Sequence, residues 1–170
     1  MKGTVGFSAS NSWISKIIRW FRQSNVSHTF IIINRGDRLF VMEAGKRQVQ
    51  IASYDKHYAK NKGYVELYKP EVDDTTINKA IDDMMPYLER GYGYLQLVGF
   101  ALVSLLQRIG INIDNPIGTG IICSELVREY LLKLGFEEYR KLDRDTTAPD
   151  NLLALIKKSK KFKRMVRPDE

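Results

Sequence analysis

The sequence predicts an α+β domain in which helices pack on a mainly antiparallel sheet. Three observations predict it. Strand-like and helix-like segments fall into separated groups and do not alternate strictly. The β-branched and aromatic run from His28 to Asn34 turns at Arg35-Gly36-Asp37-Arg38 and returns as Leu39 to Glu43, a hairpin pattern. Later segments carry apolar residues at helical spacing and stop at glycines, Gly91 and Gly135. With 170 residues, 44% hydrophobic and 28% charged, the chain suits one domain over 1–170 with a real core. It contains no internal repeat and no linker rich in Pro, Gly or Ser.

Gly3 to Phe7 reads as a short strand. The segment from Asn11 to Arg22 reads as a helix capped by Asn11 or Ser12. Its Trp13, Ile14, Ile17, Ile18 and Phe21 share one face, and Lys16, Arg19 and Arg22 lie away from it, giving an amphipathic basic helix. Such a helix either faces a core with a solvated basic side, or lies on a membrane surface or at a substrate lip. After the hairpin, Gln48 to Ala52 and Tyr64 to Tyr68 are further strands. Asp73 opens a helix toward Arg90 that Pro86 kinks or ends early. A helix from Tyr94 to Ile109 and a glycine-rich loop from Gly110 to Gly120 follow. Ile121 to Leu134 is a helix with a buried stripe of Leu126, Val127, Tyr130, Leu131 and Leu134. Pro149 sits in the first turn of a last helix, and Phe162 to Arg167 reads as a closing strand.

The formal charge of +7 is concentrated. Seven of the 27 basic residues lie between Lys157 and Arg167 with no acid among them, and outside that run acids and bases balance. The run is either a solvated basic edge or a contact for phosphate on an anionic membrane surface. Nucleic acid has little support, because only Phe162 interleaves the charges. One cysteine, Cys123, excludes an internal disulfide. The first residues lack the apolar core of a signal peptide, and the stretch from Leu95 to Ile113 is too polar for a membrane span. A cytoplasmic protein is expected, with peripheral membrane contact compatible with the basic helix.

Cys123 follows the glycine loop and starts a helix. A helix N terminus offers free N–H groups and a positive dipole end, which favour a thiolate and can hold an oxyanion. Taken alone, Cys123 reads as a small buried residue at a helix start rather than as a nucleophile. Of the two histidines, His57 lies in a polar stretch and is expected to be solvated, while His28 opens an apolar strand. With Gly36-Asp37 as a two-residue loop, Arg35 opposes Arg38, Phe30 opposes Glu43 and His28 opposes Gly45. Residues 28, 30 and 43 then share a face, and Glu43 is the diagonal neighbour of His28. A one-residue slip would send Glu43 to the other face. Cysteine, histidine and acid together form a nucleophile, base and orienter set. Zinc would need Cys123, His28 and Glu43, with His57 as the fourth candidate, but no C-x-x-C or H-E-x-x-H spacing exists. Nucleotide-binding glycine motifs are also absent, so no cofactor is expected.

On these residues the chain resembles the circularly permuted branch of the papain-like, NlpC-type hydrolase superfamily. The match is to the YiiX/YaeF-like group, with lecithin:retinol acyltransferase as a more distant relative. The histidine precedes the cysteine, as in that branch. The matching pieces are Ser12 to Trp20, Val26-Ser27-His28-Thr29-Phe30-Ile31, Met42-Glu43-Ala44, Tyr92-Gly93-Tyr94-Leu95, Cys123-Ser124-Glu125-Leu126-Val127 and Ala148-Pro149-Asp150-Asn151-Leu152. They span nearly the whole chain. The chain departs from the family in Gly3-Thr4, where members often have Gly-Asp, and in Thr29-Phe30 after the histidine. The resemblance implies a permuted papain-like fold and thiol hydrolase or acyltransferase chemistry, with Cys123 as nucleophile, His28 as base and Glu43 as orienter. The substrate implied is a peptide, isopeptide or lipid acyl group. The rival expectation is a lipid- or membrane-binding protein. Tyr92 and Tyr94 fit either a pocket or the core.

Overall fold

The fold is described from a computed structural model, for residues 1–10, 13–45, 48–59, 64–88, 122–143 and 147–168. The expected helix from Tyr94 to Ile109, the glycine loop after it, and Tyr92 lie outside these residues. The hairpin sets the frame. Gly36 takes φ 60° at the first central position of the two-residue turn, where a residue with a Cβ would be strained. The turn pairs β2 (His28–Arg35) with β3 (Arg38–Ala44) at Arg35 opposite Arg38 and Ile31 opposite Met42, the register expected from the sequence.

Four more strands complete one sheet: β1 (Val5–Ser8), β4 (Val49–Ser53), β5 (Val65–Pro70) and β6 (Phe162–Met165). The order is β4-β3-β2-β1-β5-β6, and every neighbouring pair is antiparallel. Residues 29 to 33 of β2 are all buried, because this mid-sheet strand is covered on both faces. That explains an apolar run without polar alternation.

One face carries the main core, where Phe7, Ile31 and Met42 meet Ile77 of α2 (Asp74–Met84), Leu126 of α3 (Cys123–Lys133) and Leu152 of α4 (Pro149–Lys158). The opposite face holds a smaller cluster of Phe30, Ile32, Val41 and Leu67, closed by Tyr54 and Tyr58. These two tyrosines belong to a chain segment that includes a π turn over Asp55–Ala59, which has no regular sequence period.

Helix ends follow from single residues. Asp73 caps α2 by accepting the Thr76 backbone N–H at 2.8 Å. Pro86 has no N–H for the Asp82 carbonyl, so Met85 takes that carbonyl and the chain tightens into a short 3₁₀ turn over Met85–Tyr87. The helix therefore ends at Met84, well short of Arg90. α3 ends in a Schellman motif: Gly135 takes φ 85°, its N–H reaches Leu132 O at 3.0 Å and the Phe136 N–H reaches Leu131 O at 3.1 Å. All five expected stripe residues of α3 are buried. α1 (Trp13–Arg22) lies between β1 and β2, with Lys16 and Trp20 exposed. Arg22 pairs with Asp150 at 3.0 Å and so joins α1 to the first turn of α4.

The basic run is the end of α4 and the edge strand β6. Lys163 and Arg164 are exposed on that edge, and charge there opposes pairing with another chain. Two lysines of the run have internal partners, Lys157 with the buried Glu66 at 2.9 Å and Lys161 with Glu138 at 2.7 Å. No described helix is long and apolar enough to cross a membrane.

Candidate active site

The site forms where β1 ends and β2 begins. Ser8 is paired with His28, and the N terminus of α3 packs against β2 at that end. Ile122 is the extended N-cap of α3 and Cys123 its first helical residue, so the thiol lies where backbone N–H groups have no helical partner. The Ser124 hydroxyl donates to Thr147 O at 2.5 Å and ties this helix start to the segment before α4.

Glu43, expected beside His28 from the hairpin register alone, is there. His28 Nε2 lies 3.1 Å from Glu43 Oε2. The carboxylate is buried, with its side chain only 6% exposed, so it is no solvated strand end. His28 also hydrogen-bonds the Cys123 side chain. With Nε2 engaged by the carboxylate, Nδ1 is the ring nitrogen left for the thiol. All three residues singled out in the sequence are thus in one connected chain, Cys123 to His28 to Glu43.

The charges support one another. Burial opposes a charge on His28, but hydrogen bonds to Cys123 and Glu43, with the charges of both, push it up to about 10 from 6.5. Burial likewise opposes the Glu43 charge, yet hydrogen bonds from His28, Tyr58 and Gln50, with the His28 charge, hold its carboxyl at about 2 against an ordinary 4.5. Burial pushes the Cys123 thiol up, whereas the hydrogen bond and charge of His28 pull it down. The backbone N–H groups of Thr29 and Ser124 add to that pull, and the net direction is downward. The arrangement favours an imidazolium beside a thiolate. Two N–H groups already point at the sulfur, the geometry that can also receive developing negative charge on a bound acyl oxygen.

Three residues around Glu43 escaped the sequence reading. Gln50 Nε2 donates to Glu43 Oε1 at 3.1 Å. Its signal was available, since Gln50 stands directly opposite Glu43 across the β3–β4 ladder. The Tyr58 hydroxyl donates to Glu43 Oε2 in a short contact, and its ring stacks on Phe30 at 4.1 Å. His57, expected to be solvated, is 45% exposed but places Nδ1 3.5 Å from Glu43 Oε1. Both ride on the π turn, for which no local pattern exists.

Both oxygens of Glu43 are thereby engaged by protein partners. Among the described residues, no group of three or more His, Cys, Asp or Glu is disposed to hold a metal ion.

No family model and no curated protein matches the sequence. Among solved structures, the chain is similar to the crystal structure of metalloprotein YiiX from Escherichia coli O157:H7, with a TM-score of 0.59 and 17% identity. The superposition covers 98% of this chain and 97% of that one. At this identity the likeness is one of fold, so the chain shares the YiiX-like α+β fold over nearly its full length.

Proposed function

We propose that the chain is a cysteine-dependent acyl hydrolase, a peptidase, amidase or ester hydrolase working through Cys123, His28 and Glu43. One observation carries the reading: His28 is hydrogen-bonded to both Cys123 and Glu43, in a setting that lowers the thiol despite its burial. The likeness of the Ser-His and Cys-Ser-Glu-Leu-Val pieces to permuted papain-like hydrolases supports it.

In this mechanism the proton of Cys123 passes to His28, and the thiolate attacks the carbonyl carbon of an amide or ester. The N–H groups of Ser124 and Thr29 stabilise the oxyanion. His28 then returns its proton to the leaving amine or alcohol, and a thioester remains on Cys123. Water, deprotonated by His28, adds to the thioester and releases the acid and the thiol. A second acceptor in place of water would make the reaction an acyl transfer. Glu43 keeps the imidazole oriented and balances its charge through both steps.

The test uses an activated aryl ester at pH 6, with intact-mass detection of the acyl adduct. Adduct on Cys123, forming at least tenfold faster than on a small model thiol and lost in Cys123→Ser, is expected. The reaction slows in His28→Ala. Acylation no faster than the model thiol, or indifferent to His28, would refute the reading.

A further inference from the structure

Glu43 is held more elaborately than an orienting acid requires. Its Oε1 accepts from Gln50 of β4 and faces His57, while its Oε2 accepts from two donors at once, His28 Nε2 and the Tyr58 hydroxyl. A carboxylate with one donor can swing about its terminal bond. One whose Oε2 is shared by two donors cannot turn away from His28 without disturbing the Tyr58 bond as well.

Tyr58 is itself fixed on several sides. Its side chain is buried, the ring stacks on Phe30 at 4.1 Å and lies 5.8 Å from the Tyr54 ring. Ser8 of β1 hydrogen-bonds its hydroxyl, and Cys123 of α3 acts on it through charge. Its backbone carbonyl accepts from Arg167 Nη2 at 3.2 Å, so the residue just beyond β6 braces the π turn. Burial, then the neighbouring carboxylate, push the hydroxyl above the usual phenol range, which keeps it a donor.

We propose that Tyr58 is a positioning residue: its hydroxyl holds the Glu43 carboxylate turned toward His28, and Arg167 locks the turn that carries it. The inference rests on the hydrolase reading for its purpose but not for its geometry. It also gives the last residue of the basic run an internal role that neither a membrane nor a phosphate contact supplies.

The experiment compares the intact chain with Tyr58→Phe, which keeps the ring and removes the hydroxyl. Two readouts are followed: the titration of Glu43 by carboxyl carbon NMR, and acylation of Cys123 by the activated ester at neutral pH. Loss of one hydrogen bond to a charged group shifts an ionisation by roughly tenfold. The Glu43 midpoint therefore rises by about one pH unit, and acylation slows by about tenfold as Glu43 loses its orientation. A tyrosine that merely packs would lower stability and leave the Glu43 midpoint in place, and that result would overturn the proposal. If Tyr58→Phe does not fold, Arg167→Ala decides, since it keeps ring and hydroxyl. An upward move of the Glu43 midpoint supports the brace, and no move overturns it. Failure of the hydrolase reading looks different: wild-type acylation would not depend on His28, whatever Glu43 does.

Discussion

Replacing Glu43 by Gln removes one charge from the site while keeping its shape, and the consequence can be worked out from the geometry. The carboxylate is 6% exposed and lies 3.1 Å from His28 Nε2. Its carboxyl at about 2, against 4.5 for an unperturbed Glu, corresponds to about 3 kcal/mol in favour of the ionised form in the folded protein. Because the folded value is depressed, that contribution is full above pH 4.5 and is lost as pH falls through about 2. Urea unfolding of the wild type should therefore weaken across this window, and the Gln variant should show a flatter acid limb. His28 moves the other way. It is raised to about 10, so its protonated form is fully stabilising below 6.5, and that stabilisation is lost as pH rises through about 10. Cys123 supplies the larger part of this rise and Glu43 the next. Removing a charge-assisted hydrogen bond lowers the proton affinity of His28 by roughly 10- to 100-fold, or about one to two pH units. Proton NMR of the two imidazoles reads this directly. In Glu43→Gln the His28 midpoint should fall well below that of the wild type. A His28 midpoint that stays in place would refute the reasoning, as would a wild-type His28 that titrates near 6.5.

Two glycine substitutions separate site geometry from fold. At Gly6 an added Cβ would stand 2.2 Å from two ring atoms of Phe30, the ring on which Tyr58 stacks. Gly6→Ala should lower stability by about 1–3 kcal/mol in urea unfolding. By displacing the ring under Tyr58, it should also slow Cys123 acylation. At Gly135, φ 85° is the obstacle and nothing lies within 4 Å of the new atom. Gly135→Ala should therefore cost about 1–2 kcal/mol with no change in the acylation rate.

Much of the frame was legible because its signals are local. A two-residue Gly-Asp turn sets a hairpin register, and that register alone brought Glu43 next to His28. Helical spacing of Leu126, Val127, Tyr130, Leu131 and Leu134 identified the buried face of α3. The placement of Cys123 at the start of that helix followed from the glycine loop before it. Where local signals compete, the breaker decides: of the two outcomes expected of Pro86, it ends α2 early, at Met84, because a missing N–H converts the next turn to 3₁₀ geometry. Gln50 follows from the same ladder logic as Glu43, since it stands opposite Glu43 across β3 and β4.

The sequence by itself determined the element types, the hairpin register and the presence of a cysteine at a helix start, since period and turn chemistry act over a few residues. Only the tertiary structure decided that the start of α3 meets the first residue of β2, which converts separate Cys and His residues into a hydrogen-bonded pair. It alone brought Tyr58 and His57 onto Glu43 and Arg167 onto the Tyr58 carbonyl. An irregular turn has no periodic signature. The ends of distant elements are brought together by the packing of two cores on opposite faces of one sheet, which no short window of sequence encodes.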